Sequence, residues 1–413
     1  MYDLIVRRAK IEGKTGLWDV GCRKEKIEKI SRKIKEKAKL EIDAKGKLTT
    51  PTFVEPHIHL DKILISEVVR ENKSGTLTEA IEIIWEKKKK YTTDDIVKRA
   101  EKVIKMGIKN GVTVFRTHAD VDTICGLKAI EGLIALKEKY KKYVDIQIVA
   151  FPQEGIIKDP GTDKLMEDAL RLGCDVVGGM PWNEYTLDDS KAHIDFCFSL
   201  AKKFDADIDM HTDETDTPKA VTLEYLAAKT IKEKYFGRVT ADHTCAFSSY
   251  DPYYAAKIVD MVKRARMNMI TNPATNLMLE GRLDLEPIRR GITRVKELLK
   301  AGVNVCYGQD CIKDTFYPHF GQEDPLEIGW LLAHVAQFTL KEELEELKRM
   351  PTYNAAKTLR LKEYGLKEGC EASFNIIDTD NMINAFRFRP PRLYVIKRGK
   401  ILAKTEEKTH LLI

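Results

Sequence analysis

Five stretches of this chain carry side chains that can bind a metal ion, move a proton or grip a polar ring. They are PHIH (Pro56–His59), VDIQIVAFPQEG (Val144–Gly155, with Gln153), MHTDE (Met210–Glu214), ADHT (Ala241–Thr244) and YGQD (Tyr307–Asp310). His57 and His59 are two residues apart, and positions i and i+2 of a strand face one side, so both imidazoles can converge on one point. Neutral imidazole suits zinc and ferrous iron. Alone, an H-x-H pair is equally well explained by two hydrogen-bonded histidines. His211, His243 and Asp310, each following an apolar or β-branched run, tip the balance toward a metal site. Of nine histidines, five (His57, His59, His118, His211 and His243) fall at predicted strand ends. For His118, packing or a supporting role behind the site is expected. Glu214 lies just past His211, where strand gives way to loop, and a carboxyl group there can take a proton from an activated water. The competing explanation for Glu214 is a helix-start or surface carboxylate, which is what Asp213 and Asp216 are expected to be. Asp310 can serve as ligand, as base or as both.

Such residues, far apart in sequence but all at strand ends, need a scaffold that gathers strand ends at one rim. The chain offers one. Short apolar runs recur at TFVEPHIH, TVFRTH, VDIQIVAF, DVVGGMP, DIDMHTDE, VTADHTCAF, MNMITNPA and NVCYGQD. Amphipathic stretches separate them, such as Asp94–Gly111, Asp163–Gly173, Ala192–Asp205 and Pro287–Gly302, several ending in Gly as helix C-termini do. Eight strands alternating with helices predict an α/β fold of the (β/α)8 TIM-barrel type over residues 51–365. An open doubly wound sheet would need a glycine-rich phosphate loop after its first strand, and PHIHLDK is not one. Residues 1–50 and 366–413 read as short strands and turns, and are expected to form a small β-sandwich domain from both chain ends.

The formal charge of +6 comes from 70 basic against 64 acidic residues, dispersed along the chain, which argues against nucleic acid. No apolar run is long enough to cross a membrane, and the N-terminal MYDLIVRRAK is strand-like with charges inside it. Eight cysteines without a CxxC pair suggest buried thiols and a cytoplasmic location.

PTFVEPHIHLDK, VAFPQEGI, HTDETD, TADHTCAFSSY, the segment from Gly281 to Asp310 and YPHFG together resemble bacterial cytosine deaminases of the amidohydrolase superfamily. The likeness runs through nearly the whole chain, with the motifs in family order. It implies one divalent metal ion, Fe(II) or Zn(II), held by His57, His59, His211 and Asp310. It also implies that Gln153 binds the amide edge of a pyrimidine, Glu214 shuttles protons and His243 orients the attacking water. No lysine stands at the end of a central strand to bridge two metals. The H-x-E and P-C-x-x-C signature of the small nucleobase deaminases is absent.

The departures from that family concern the substrate. Cys311 stands where relatives often have a second Asp, Phe316 near a Trp position, Trp182-Asn183 where they have His-Phe, and Lys62 where they have a small polar residue. Cys311, Phe316 and Trp182 are accordingly candidate substrate contacts, although a buried inert thiol and a packed indole are the plain alternatives. The expected reaction is hydrolytic deamination of a free cyclic amidine, foremost cytosine to uracil and ammonia, with 5-substituted cytosine tolerated. A related ring such as isocytosine, creatinine or a triazine is the alternative, with cyclic-amide hydrolysis ranked behind it. The partners implied are that small molecule and water, without nucleic acid or membrane; homo-oligomerisation stays open.

Overall fold

A computed structural model describes residues 1–412. Eight parallel strands run in sequence order around the barrel: Phe53–Ile58, Val112–Asp120, Asp145–Phe151, Val176–Gly179, Asp207–Thr212, Val239–His243, Asn268–Thr271 and Asn304–Tyr307. All eight expected strands are present. Their residues are buried almost throughout, because helices cover the outside while side chains fill the inside. The first and last strands meet only near their C-terminal ends. There Asp310 N donates to His57 O at 2.8 Å, and His59 N to Asp310 O at 3.2 Å. Gly308 permits that approach, since a Cβ at its position would stand 2.7 Å from His57 O. Three metal-site candidates, His57, His59 and Asp310, thus lie on the closure itself.

The helices follow ordinary rules. Helix Thr93–Lys109 starts at Thr92, whose hydroxyl accepts from Asp95 N, has Asp94 and Asp95 in its first turn, and buries Ile96, Ala100, Val103 and Ile104 at helical spacing. One expected helix is shorter than its pattern. Of Pro287–Gly302 only Val295–Lys300 is helical, because Pro287 and Gly291 interrupt the run and Arg289 turns back to Asp284 at 2.6 Å. Leu283, Leu285 and Ile288 remain exposed on that segment.

Both chain ends contribute to a separate mixed sheet, as expected. Its order is Lys400–Lys404, Arg392–Lys397, Phe374–Ile377, Leu48–Pro51, Tyr2–Ile11, Trp18–Arg23 and Lys26–Ser31, with Ala38–Asp43 pairing parallel to Tyr2–Ile11. Its own apolar core includes Leu4, Val6, Val20, Ile42, Phe374 and Ile396. All eight cysteines are buried and unpaired. Among the described residues no helix is long and apolar enough to cross a membrane.

Candidate active site

The inward side chains stack in layers toward the C-terminal rim. Deepest is an ion pair between Arg116 and Asp209 at 2.7 Å. Above it His118 stands 3.5 Å from Asp209 and 3.3 Å from Asp242. Asp242 Oδ2 lies 2.8 Å from His57 Nδ1, which turns His57 Nε2 toward the mouth. The next layer contains His57, His59, His211 and Asp310, whose donor atoms fall within 4.8 Å of one another. His59 Nε2 is 3.0 Å from His211 Nε2, and Asp310 Oδ1 is 3.3 Å from His57 Nε2 and 3.4 Å from His59 Nε2.

These residues fit a divalent ion. His57 Nε2 and Asp310 Oδ2 are buried without a hydrogen-bond partner, and two imidazole nitrogens face each other across a short gap. Burial and neighbouring cationic groups push the His59 and His211 imidazoles well below their ordinary range, so both stay neutral, as ligands must be. Asp310 is fully buried, yet the His57 imidazole facing it at 3.3 Å holds its carboxyl at about 2. Phe151 stacks on His211 with ring centroids 4.2 Å apart and fixes that ring's plane. His243 and Asp310 have φ of 61° and 65°, a left-handed backbone uncommon outside glycine that here re-aims both side chains at the strand ends.

Beside the cluster lies a buried carboxylate–imidazole pair. Glu214 Oε1 accepts from His243 Nδ1 at 3.0 Å. Burial alone would lower the His243 pKa, but Glu214 outweighs it and raises the imidazole to about 9. Asn276 Nδ2 lies 3.3 Å from Glu214 Oε1, and the Asn272 amide 3.1 Å from His243 Nε2. Asn272 precedes the short helix Pro273–Leu279 after the seventh strand, and Asn276 lies in its first turns.

All of this opens into a cavity of about 310 Å³ lined on its polar side by Lys62, Gln153, His59, His211, Glu214, His243 and Asp310. Leu77, Ile81, Cys311 and Phe316 form an apolar wall, and Phe151, Met180 and Thr275 complete it. Gln153, Cys311 and Phe316 are therefore gathered with the metal-site candidates. Trp182 is not: it lies in the turn Pro181–Asn183 and lines an outer vestibule with Thr76, Arg282 and Arg289. Asp213 is no surface carboxylate. It is fully buried and caps the helix Thr222–Lys232, accepting from Thr222 N at 3.0 Å and Leu223 N at 2.9 Å. His118 is the supporting residue expected.

Four participants escaped the sequence reading. Asp242 carried a signal, as the neighbour of His243 at a strand end. Asn272 and Asn276 resembled ordinary helix-start residues. Lys88, in a run of four lysines that reads as a solvated face, is in fact buried among Asp120, Asp122 and Glu154 at 2.6 to 2.7 Å.

A family model described as "Amidohydrolase family" matches residues 40–403. The chain belongs to the amidohydrolase family. Over 98% of its own length and 98% of the relative's, it is 32% identical to the N-isopropylammelide isopropyl amidohydrolase of Pseudomonas sp. (strain ADP). It is 27% identical to a pterin deaminase of Rhizobium rhizogenes, covering 88% of this chain and 82% of that one. The structure of a 5-methylcytosine deaminase from Klebsiella pneumoniae, liganded with 5-fluorocytosine, superposes with a TM-score of 0.95 at 37% identity. That match covers 98% of this chain and 99% of the other. The chain is thus an amidohydrolase that acts on C–N bonds in cyclic compounds, with a His/Asp cluster fitted to a divalent metal.

Proposed function

We propose that this chain hydrolyses the exocyclic amine of a free 2-oxo-4-aminopyrimidine, accepting 5-methylcytosine as well as cytosine. The products are thymine or uracil, with ammonia. His57, His59, His211 and Asp310 hold one ion, Fe(II) or Zn(II). Once bound, such an ion lowers the pKa of a coordinated water and so supplies a nucleophile at neutral pH. Glu214 takes one of the water's protons and delivers it to ring N3, and the water's second proton passes to the amine, which departs as ammonia. His243, fixed between Glu214 and Asn272, orients the water at C4. Gln153 binds the ring's polar edge and Phe151 closes the floor beside His211.

The observation that carries the choice of substrate is the wall containing Cys311. Cys311, Phe316 and Ile81 belong to one buried apolar cluster with Ile65 and Leu279, and all three line the cavity. Burial raises the Cys311 thiol far above neutrality, so the wall carries no charge there. A ring methyl placed against it gains about 1 kcal/mol from burial. The Klebsiella relative's reaction agrees with this.

The test is amine release, as ammonia or isopropylamine, from a panel of free 5-methylcytosine, cytosine, isocytosine, creatinine, pterin and N-isopropylammelide. The expected result is release from the first two within an order of magnitude of each other. Ammonia from neither sinks the proposal, and isopropylamine from N-isopropylammelide instead would move the assignment to the Pseudomonas relative's reaction.

A further inference from the structure

Lys62 has no role in the chemistry above, yet its ammonium sits inside the catalytic cavity and is 1% exposed. It donates to Asp120 Oδ1 at 2.6 Å and to the amide oxygen of Gln153. An ammonium has three donors and no acceptor, so whatever faces it must be an acceptor. That settles which way Gln153 points. Its oxygen is turned to Lys62, and its amide nitrogen is left buried without a partner.

Lys62 is held charged from behind. Asp120 Oδ2 lies 2.7 Å from Lys88 Nζ, which also pairs with Asp122 and Glu154. Glu154 follows Gln153 directly, and Asn183 Nδ2 donates to the Gln153 backbone oxygen at 2.5 Å. The Gln153 segment is therefore pinned on both sides of its side chain. The Lys62 ammonium also stands 5.1 Å from the Phe151 ring centroid and 6.0 Å from that of Phe316, the two aromatic rings of the cavity.

A free glutamine amide can match an N–H beside a C=O by accepting from one and donating to the other. In Gln153 the oxygen already faces the Lys62 ammonium, which takes one of its lone pairs, and the amide N–H is the group left without a partner. The edge it shares with Lys62 offers donors: the free amide N–H groups and the third ammonium proton.

Building on the deaminase assignment, we propose that Lys62 is the specificity-determining residue of this site. It orients Gln153 with its amide N–H toward the substrate and favours rings that present a carbonyl oxygen to the donors of Gln153 and Lys62. On a 2-oxo-4-aminopyrimidine that oxygen is O2, next to N3. Withdrawal of electron density through O2 also favours attack at C4, so the same contact strengthens as charge develops on the ring.

The experiment measures binding with rings that cannot be deaminated, so it does not depend on turnover. Calorimetric affinities of the metal-loaded enzyme for 2-pyrimidinone and for pyrimidine are compared in wild type, Lys62→Met, Lys62→Arg and Gln153→Glu. Wild type is expected to prefer the oxo ring by about 10²-fold, the scale of a charge-assisted hydrogen bond in a dry site. Lys62→Met should shrink the preference to within about tenfold, with metal content unchanged. Lys62→Arg, which keeps a donor-only cation, should retain most of it. Gln153→Glu pairs its carboxylate with Lys62 and loses the amide N–H, so it should lose the preference too. This last variant covers the case in which Lys62→Met does not fold. An equal preference in wild type and Gln153→Glu, or none in wild type, overturns the proposal. Ammonia release by wild type from cytosine and 5-methylcytosine, measured alongside, reports separately on the deaminase assignment.

Discussion

The barrel's two ends handle buried charge in opposite ways. At the seam with the terminal sheet, Lys397 is 2% exposed and lies 2.5 Å from Asp145 and 2.7 Å from Glu371. Arg398 bonds the same two carboxylates, at 2.9 Å from Glu371, and donates its remaining N–H to Lys141 O. The protein completes this region by itself. At the mouth, His57 Nε2, Asp310 Oδ2 and Gln153 Nε2 are buried and unpartnered. Each such atom costs about 1–3 kcal/mol, an arrangement that makes sense where a ligand and an ion complete the set. The seam pairs its charges within the protein, while the mouth leaves His57 Nε2, Asp310 Oδ2 and Gln153 Nε2 open.

Substitutions at the two ends should therefore separate activity from stability. At the mouth, His211→Asn removes a ligand from the layer and should strip most of the metal and nearly all activity. Elemental analysis with a turnover assay checks this, and full metal content with normal turnover would remove His211 from the ligand set. Glu214→Gln should keep the metal and bind substrate, yet lose at least about 10²-fold in kcat, the scale of one acid–base group. Its foil is Asp213→Asn, one residue away but turned into the helix start. That change should cost about 1 kcal/mol of stability, as lost helix caps do, with little change in kcat. Equal losses of kcat in the two variants would contradict the division of roles.

At the seam, Lys397→Met leaves Asp145 and Glu371 one cation short. Denaturant unfolding should show a loss of about 2 kcal/mol, on the scale of a broken, partly buried pair, while kcat/KM stays at the wild-type value. A seam variant that lost activity without losing stability would break the comparison. The smallest expected effect is the most specific. Cys311→Asp should depress kcat/KM for 5-methylcytosine relative to cytosine by about tenfold, by crowding the methyl and placing a carboxyl group on its wall. If both bases fall alike, Cys311 is packing alone.

The barrel was legible because each of its eight strands is an apolar run bounded by polar turns, and because Gly111, Gly173 and Gly302 close helical stretches. The metal-site candidates were legible for the same reason, since His57, His211 and Asp310 end such runs. What the sequence hid were residues whose role depends on distant neighbours. Lys88 and Lys62 look like surface lysines until Asp120, on another strand, is folded beneath both. Asn272 and Asn276 matter only because His243 takes a left-handed backbone that brings its ring between them. Trp182 was singled out for its type, and the turn that carries it faces the vestibule. Asp213 and Glu214 are adjacent, and only the turn after the fifth strand separates a helix cap from a carboxylate that lines the cavity.

The central claim is tested most directly by quantifying thymine formed from free 5-methylcytosine, with the enzyme metal-loaded, chelator-treated and then reloaded with Fe(II) or Zn(II). The account predicts one thymine per ammonia released, loss of both on chelation, and recovery with one equivalent of ion per chain. Thymine formation that survives complete metal removal, or none from the reloaded enzyme, would contradict it.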